Sequence, residues 1–377
     1  MRALLFTGVA ALVAVSPARA APTAEIAPFG IGEDGRQVQV VTLRNDRGMT
    51  VRFSTRGGTI LEISAPDRDG KVDNLVLGRP DFASWDRGGS FNSVVGRYAN
   101  RIAGGGFTLD GVRYDLAGAN PRTGVAIHGG PDNFSRKLWN AATFSGNDRA
   151  GATMTMTSPD GENGYPGELT VTMTYSLDNN GALRLEYSAT TSKPTVINLT
   201  NHSYFNVAGA ASGPVYDQLL QVNASSYTPT DERQVPTGEI APVAGTPFDF
   251  RTAVPIGSRI WSTHPQMLLA RGLDHNFVID GNGLRDAATL TDPKSGRVMK
   301  VRTTEPGVQI YSGNNLLGSM VGADGRTLRQ SDGIAFETQH YPDSPNKPAF
   351  PSTVLRPGDT FHSITEYVFS VEQEQRP

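Results

Sequence analysis

Apolar and polar residues alternate in short runs along almost the whole chain. Val38-Gln39-Val40-Val41-Thr42-Leu43 is followed by the turn Asn45-Asp46-Arg47-Gly48 and then by Thr50-Val51-Arg52-Phe53-Ser54. Neighbouring side chains of an extended strand point to opposite faces. A period of two built from β-branched and aromatic residues therefore predicts strands, and the intervening turn predicts a hairpin. Residues 107–114 repeat the pattern around Asp110-Gly111, and residues 169–187 repeat it around Asn179-Asn180-Gly181. Such Gly-containing pairs between alternating runs are strong hairpin signals. Only residues 81–85 and 257–260 suit short helices, and no long amphipathic helical stretch is present. A propeller is the other architecture open to many short strands, but no fixed blade period appears. The pattern predicts an all-β chain folded as one large antiparallel β-sandwich.

The N-terminus departs from this pattern. Met1-Arg2 supplies a positive charge, residues 3–15 form an apolar run, and Ala18-Arg19-Ala20 supplies a small-x-small cleavage site. This is the arrangement of a secretory signal peptide, too short for a typical membrane span. The expected division is a signal peptide over residues 1–20 and a single β-sandwich domain over residues 21–377. Cleavage removes Arg2 and Arg19 and takes the formal net charge from −3 to −5. There are no cysteines. An exported chain of 377 residues without disulfides fits a bacterial periplasm, because a core of this size needs no covalent staples. The acidic balance argues against nucleic acid as a partner. Once the leader is removed, no membrane attachment is expected.

Candidate chemistry centres on Gly333-Ile334-Ala335-Phe336-Glu337-Thr338-Gln339-His340-Tyr341-Pro342-Asp343. Glu337 lies in the middle of an apolar, aromatic strand. A carboxylate there needs a partner or a function, because an unpaired buried charge is costly or shifts its pKa. Histidines fall in three polar clusters with glycines and aromatics: Ile127-His128-Gly129-Gly130, Asn201-His202-Ser203-Tyr204-Phe205-Asn206 and Gly272-Leu273-Asp274-His275-Asn276-Phe277. Amides, carboxylates and imidazoles among aromatic rings suit a sugar, whose hydroxyls need hydrogen bonds and whose C–H faces need apolar cover. No His-x-x-x-His pair, Gly-x-Ser-x-Gly elbow or phosphate-binding glycine loop occurs. Metal dependence, serine hydrolysis and nucleotide binding therefore lack their sequence signals. On a strand, Asp274 and His275 would point to opposite faces.

Taken with Gly96-Arg97-Tyr98-Ala99-Asn100-Arg101-Ile102, the Ser158-Pro159-Asp160-Gly161 loop that runs to Gly167, and Pro306-Gly307-Val308-Gln309-Ile310-Tyr311, these runs resemble the aldose 1-epimerase (galactose mutarotase) family. They stand in that family's order over roughly residues 46–371. The resemblance implies a large β-supersandwich that interconverts the anomers of a free hexose without a cofactor. It implies Glu337 as general base and His202 as general acid, with Asn100, Arg101, His128, Asp274 and Gln309 binding the substrate. It leaves His275 as structural support and gives His340 no role. The expected assembly is a monomer or weak dimer, and the expected partner is a small monosaccharide. Other readings stay open. A non-catalytic carbohydrate-binding sandwich would not need Glu337 and His202 together. An epimerase of phosphorylated sugars would want more cations than the motifs' Arg97 and Arg101. A glycoside hydrolase would use Glu337 and Asp274 as paired carboxylates.

Overall fold

The computed structural model describes residues 20–87 and 89–373. The leader assigned to residues 1–20 lies outside them apart from Ala20. Among the described residues, no helix is long and apolar enough to cross a membrane.

Strands dominate, in three main sheets. Five consecutive strands from Thr23–Ile31 to Val72–Asn74 form one sheet in sequence order. Nine strands form the largest, in which the C-terminal strand Phe361–Val371 lies between Ala182–Thr191 and Arg297–Thr303. The third sheet has six strands, in the order Tyr204–Phe205, Ile334–Gln339, Gly307–Tyr311, Asp274–Val278, Ser226–Thr228 and Ala241–Pro242. All its neighbours pair antiparallel. The predicted all-β sandwich is what forms.

The three predicted hairpins appear as paired strands. At the tip of the third, Gly181 has φ +86°, a left-handed conformation that glycine adopts without steric cost. The predicted short helices are also present, as Phe82–Asp86 and Gly257–Ile260. Asp81 caps the first by accepting the Ser84 N–H at 2.8 Å. A third helix, Pro265–Ala270, escaped the sequence reading. It is six residues long and buries only Met267 and Ala270, too little to produce a visible helical period.

One core is shared by all three sheets. It includes Val41 and Phe53 from the first, Met154, Leu185 and Tyr367 from the second, and Phe277, Val308, Ile310 and Phe336 from the third. Alternation along the six-stranded sheet then fixes what its other face carries. Ile334 and Phe336 enter the core, so Ala335 and Glu337 point away from it. Val308 and Ile310 do the same on the next strand, which leaves Gln309 and Tyr311 beside Glu337 and Ala335. A polar row across this face is thus a consequence of register.

Candidate active site

Glu337 sits mid-strand opposite Gln309 and is 2% exposed. His202 arrives from the segment just before the edge strand Tyr204–Phe205 and is 5% exposed. Its backbone is tied to the 92–93 segment: its N–H donates to the Ser93 carbonyl at 3.0 Å, and its carbonyl accepts from Asn92 at 2.9 Å. Asn201 stiffens the turn by accepting the Ser203 N–H at 3.0 Å and donating to the Tyr175 hydroxyl at 3.1 Å. His202 Nε2 and Glu337 Oε1 stand 3.5 Å apart. They line one cavity of about 380 Å³ with Asn100, Arg101, His128 and Asp274.

His128 is held in a conformation few residues adopt, with φ +52°. Gly129 lets the chain pass there, since a Cβ on it would lie 2.1 Å from the Gly96 carbonyl oxygen. The Asn100 N–H donates to His128 Nδ1 at 3.2 Å. In the neutral ring that leaves the proton on Nε2, so His128 offers the cavity a donor. The fold also brings one ligand-type atom each of His128, His202 and Glu337 within 4.8 Å of one another. Sequence spacing gave no hint of that cluster. A cation there would require the His128 Nε2 lone pair, which this tautomer does not present.

Asp274 is held from two sides. Arg101 Nη2 donates to its Oδ2 at 3.0 Å, and Gln309 Nε2 donates to its Oδ1 at 2.7 Å. Arg101 is anchored in turn by the Gln234 side chain at 2.8 Å and by Asn100 at 3.2 Å. Six of the seven expected residues, Asn100, Arg101, His128, His202, Asp274 and Glu337, thus line this cavity. Gln309 departs from the expectation: it is 3% exposed and orients Asp274 from behind without lining the cavity.

Protonation follows from burial. Desolvation pushes the Glu337 carboxyl up to about 8, with the nearby Asp274 charge adding to the rise and Arg101 opposing it. Desolvation brings the His202 imidazole down to about 4. His128 is held well below its usual value, again by burial first, then by His202 and Arg101. At neutral pH the Glu337–His202 contact is thus a carboxylic acid beside a neutral imidazole, sharing one proton.

Several residues sit elsewhere than expected. Arg97 is buried against Ser158, Pro159 and Pro166, outside the cavity, so it cannot serve as a phosphate-binding cation there. His275 does face away from Asp274's side: its Nδ1 accepts the Asp274 N–H at 3.2 Å and its Nε2 meets Gln266 at 3.3 Å. His340 pairs with the buried Glu305 at 2.7 Å and does not line the cavity, so the pocket rim does not depend on it. His362 is exposed and meets Glu186 at 2.8 Å. His264 is half-buried and caps the helix Pro265–Ala270. Asp343 accepts the distant Ala103 N–H at 2.9 Å.

Sequence reasoning missed Arg79, Phe91, Tyr204 and Tyr311, all of which line the cavity. Tyr204 and Tyr311 fall inside the motifs, where aromatic character alone could have flagged them as sugar-facing. Arg79 and Phe91 lie in an irregular stretch with no local signal.

An all-β sandwich whose cavity sets a buried acid–imidazole pair among amides and tyrosines has the parts of a carbohydrate enzyme. The family described as "Aldose 1-epimerase" matches residues 39–368. Galactose mutarotase of Rattus norvegicus is 41% identical over 339 residues, covering 89% of this chain and 95% of that protein. Aldose 1-epimerase of Escherichia coli (strain K12) is 37% identical over 348 residues, covering 91% and 98%. The crystal structure of a galactose 1-epimerase from Lactobacillus acidophilus NCFM superposes with a TM-score of 0.83 at 29% identity, over 93% of this chain and 99% of that one. The chain belongs to the aldose 1-epimerase family.

Proposed function

We propose that Glu337 and His202 are the proton-transfer pair with which this aldose 1-epimerase interconverts the α- and β-anomers of a free hexose. The observation that carries the assignment is their 3.5 Å separation in one cavity. The shared proton first crosses from Glu337 to His202; Glu337, now carboxylate, takes the proton of the C1 hydroxyl. The C1–O5 bond breaks, and His202, as imidazolium, gives its proton to O5. The open aldehyde rotates about C1–C2, and closure on the other face reverses both transfers. No electron or group leaves the sugar, so the reaction calls for no cofactor. Asn100, Arg101, His128 and Asp274 hold hydroxyls, with Gln309 fixing Asp274.

Ring opening leaves Glu337 protonated and His202 neutral. That is the proton placement which burial already favours. Ring opening thereby discharges the buried carboxylate–imidazolium pair and returns the pocket to its favoured protonation. Asp274, held by Arg101 and Gln309, is not free to act as a second catalytic carboxylate, which counts against the glycosidase reading. A purely carbohydrate-binding module finds no support among relatives that carry enzyme names.

The pair holds a single proton between about 4 and about 8. A second proton added below that window removes the base, and loss of the proton above it removes the acid. We expect a bell-shaped pH profile of kcat/KM with limbs near those two values. Polarimetry of freshly dissolved α-glucose and α-galactose, corrected for the spontaneous rate, reads both limbs. A profile that stays flat through the alkaline limb sinks the assignment of Glu337.

The same reading places residues 21–377 as one exported domain, a monomer or weak dimer acting on monosaccharides in a bacterial periplasm. Its support is the charged start, the apolar run and Ala18-Arg19-Ala20. Sequencing the N-terminus of the mature protein from its native host tests it: a chain beginning at Met1 overturns export.

A further inference from the structure

Arg79 lines the same cavity as Glu337 and His202, and the reaction above has no use for it. Its guanidinium carbon stands 5.2 Å from the Phe91 ring centre and 5.8 Å from that of Trp85. Its Nη1 donates to the Ser84 carbonyl at 2.8 Å. Among the described residues, no carboxylate pairs with it. The acids of its own segment are engaged: Asp81 caps the following helix, and Asp86 pairs with Arg56 at 3.0 Å. Arg87 adds charge of the same sign, and burial further disfavours the cation.

The other charges of the cavity cancel. Arg101 neutralises Asp274. Glu337, His202 and His128 are all held in their neutral forms by burial. One cation, Arg79, is left over in a partly desolvated wall, where a missing counter-charge is costly. Phe91 stacks on Tyr204 at 4.9 Å, and Tyr204 stacks on His202 at 5.0 Å. Arg79 therefore stands at the outer end of a column of rings whose inner end is the proposed acid, two rings away from His202.

We propose that the preferred substrate is an aldose carrying a carboxylate remote from C1, and that Arg79 binds that carboxylate. The proposal rests on the anomerisation reading above. A planar guanidinium fork matches a carboxylate with two parallel hydrogen bonds. A phosphate dianion would call for a second free cation, and Arg101 is already engaged by Asp274, Gln234 and Asn100.

The test compares D-glucuronate, D-galacturonate and digalacturonate with D-glucose and D-galactose, for the wild type and for Arg79→Gln. At low salt, at least one acid is expected to exceed its neutral counterpart in kcat/KM by about 10- to 100-fold. Arg79→Gln collapses that ratio, and added salt shrinks it in the wild type. The salt series needs no variant, so it decides the question even if Arg79→Gln fails to fold. Arg79→Lys, which keeps the charge without the fork, restores only part of the ratio. No acid preferred over its neutral counterpart, a preference indifferent to salt, or a ratio that survives Arg79→Gln overturns the proposal. A wild-type enzyme inactive on every sugar, neutral ones included, refutes the anomerisation reading instead.

Discussion

Glu337→Gln is expected to lower the catalysed mutarotation rate by about 10²–10⁴-fold, the usual worth of a positioned general base. The amide keeps the size and one oxygen of the carboxyl group, so hydroxyl binding survives while proton abstraction does not. The loss therefore falls on kcat rather than KM. The same variant has a second signature. Glu337's folded pKa of about 8 lies above its ordinary 4.5. The folded chain binds a proton there that the unfolded chain releases, so Glu337's own contribution to stability declines as pH rises from 4.5 toward 8, while the lowered His202 contributes in the opposite direction up to 6.5. Glu337→Gln removes that slope and melts several degrees higher than wild type on the alkaline side. Polarimetry with thermal melts across pH checks both signatures. Retained wild-type kcat rejects Glu337 as the base. An unchanged melting slope shows that another group titrates.

His202→Asn is expected to cost a comparable factor, about 10²–10⁴-fold in kcat, because O5 then lacks its proton donor. The two effects should not add. Each group acts only while the other holds or lacks the shared proton, so the double variant should be little worse than either single one. Sugar binding followed by calorimetry should persist in the single variants, since Arg101 and Asp274 are untouched. A double variant slower by the product of the two single losses would show independent roles and break the shared-proton picture. The Tyr204 ring stacked on His202 must stay in place for this test, which favours the small Asn over a bulkier replacement.

Much of this site was readable because strand alternation is a local property. Glu337 stands among apolar neighbours in the sequence, and the structure buries it on the strand Ile334–Gln339. Six of the seven expected site residues line one cavity. What stayed hidden depends on chain segments far apart in sequence. Arg101 and Asp274 are 173 positions apart, and only folding brings the strand Arg101–Ile102 to the strand Asp274–Val278. Gln309 and Arg97 sit in motifs as good as any other, yet one supports Asp274 from behind and the other turns away into the Ser158 loop. Spacing cannot tell a lining residue from a supporting one when both are buried and polar.

The chain by itself determined the strands, the hairpins and the placing of a carboxylate among apolar neighbours, because alternation and turn chemistry act over a few residues. Only the tertiary structure decided that this carboxylate faces His202 at 3.5 Å. It alone decided that burial leaves one proton between the two, and that Arg79 remains in the wall as an unmatched cation. Distance, desolvation and charge balance are sums over every group around a point, and those groups are gathered only by folding.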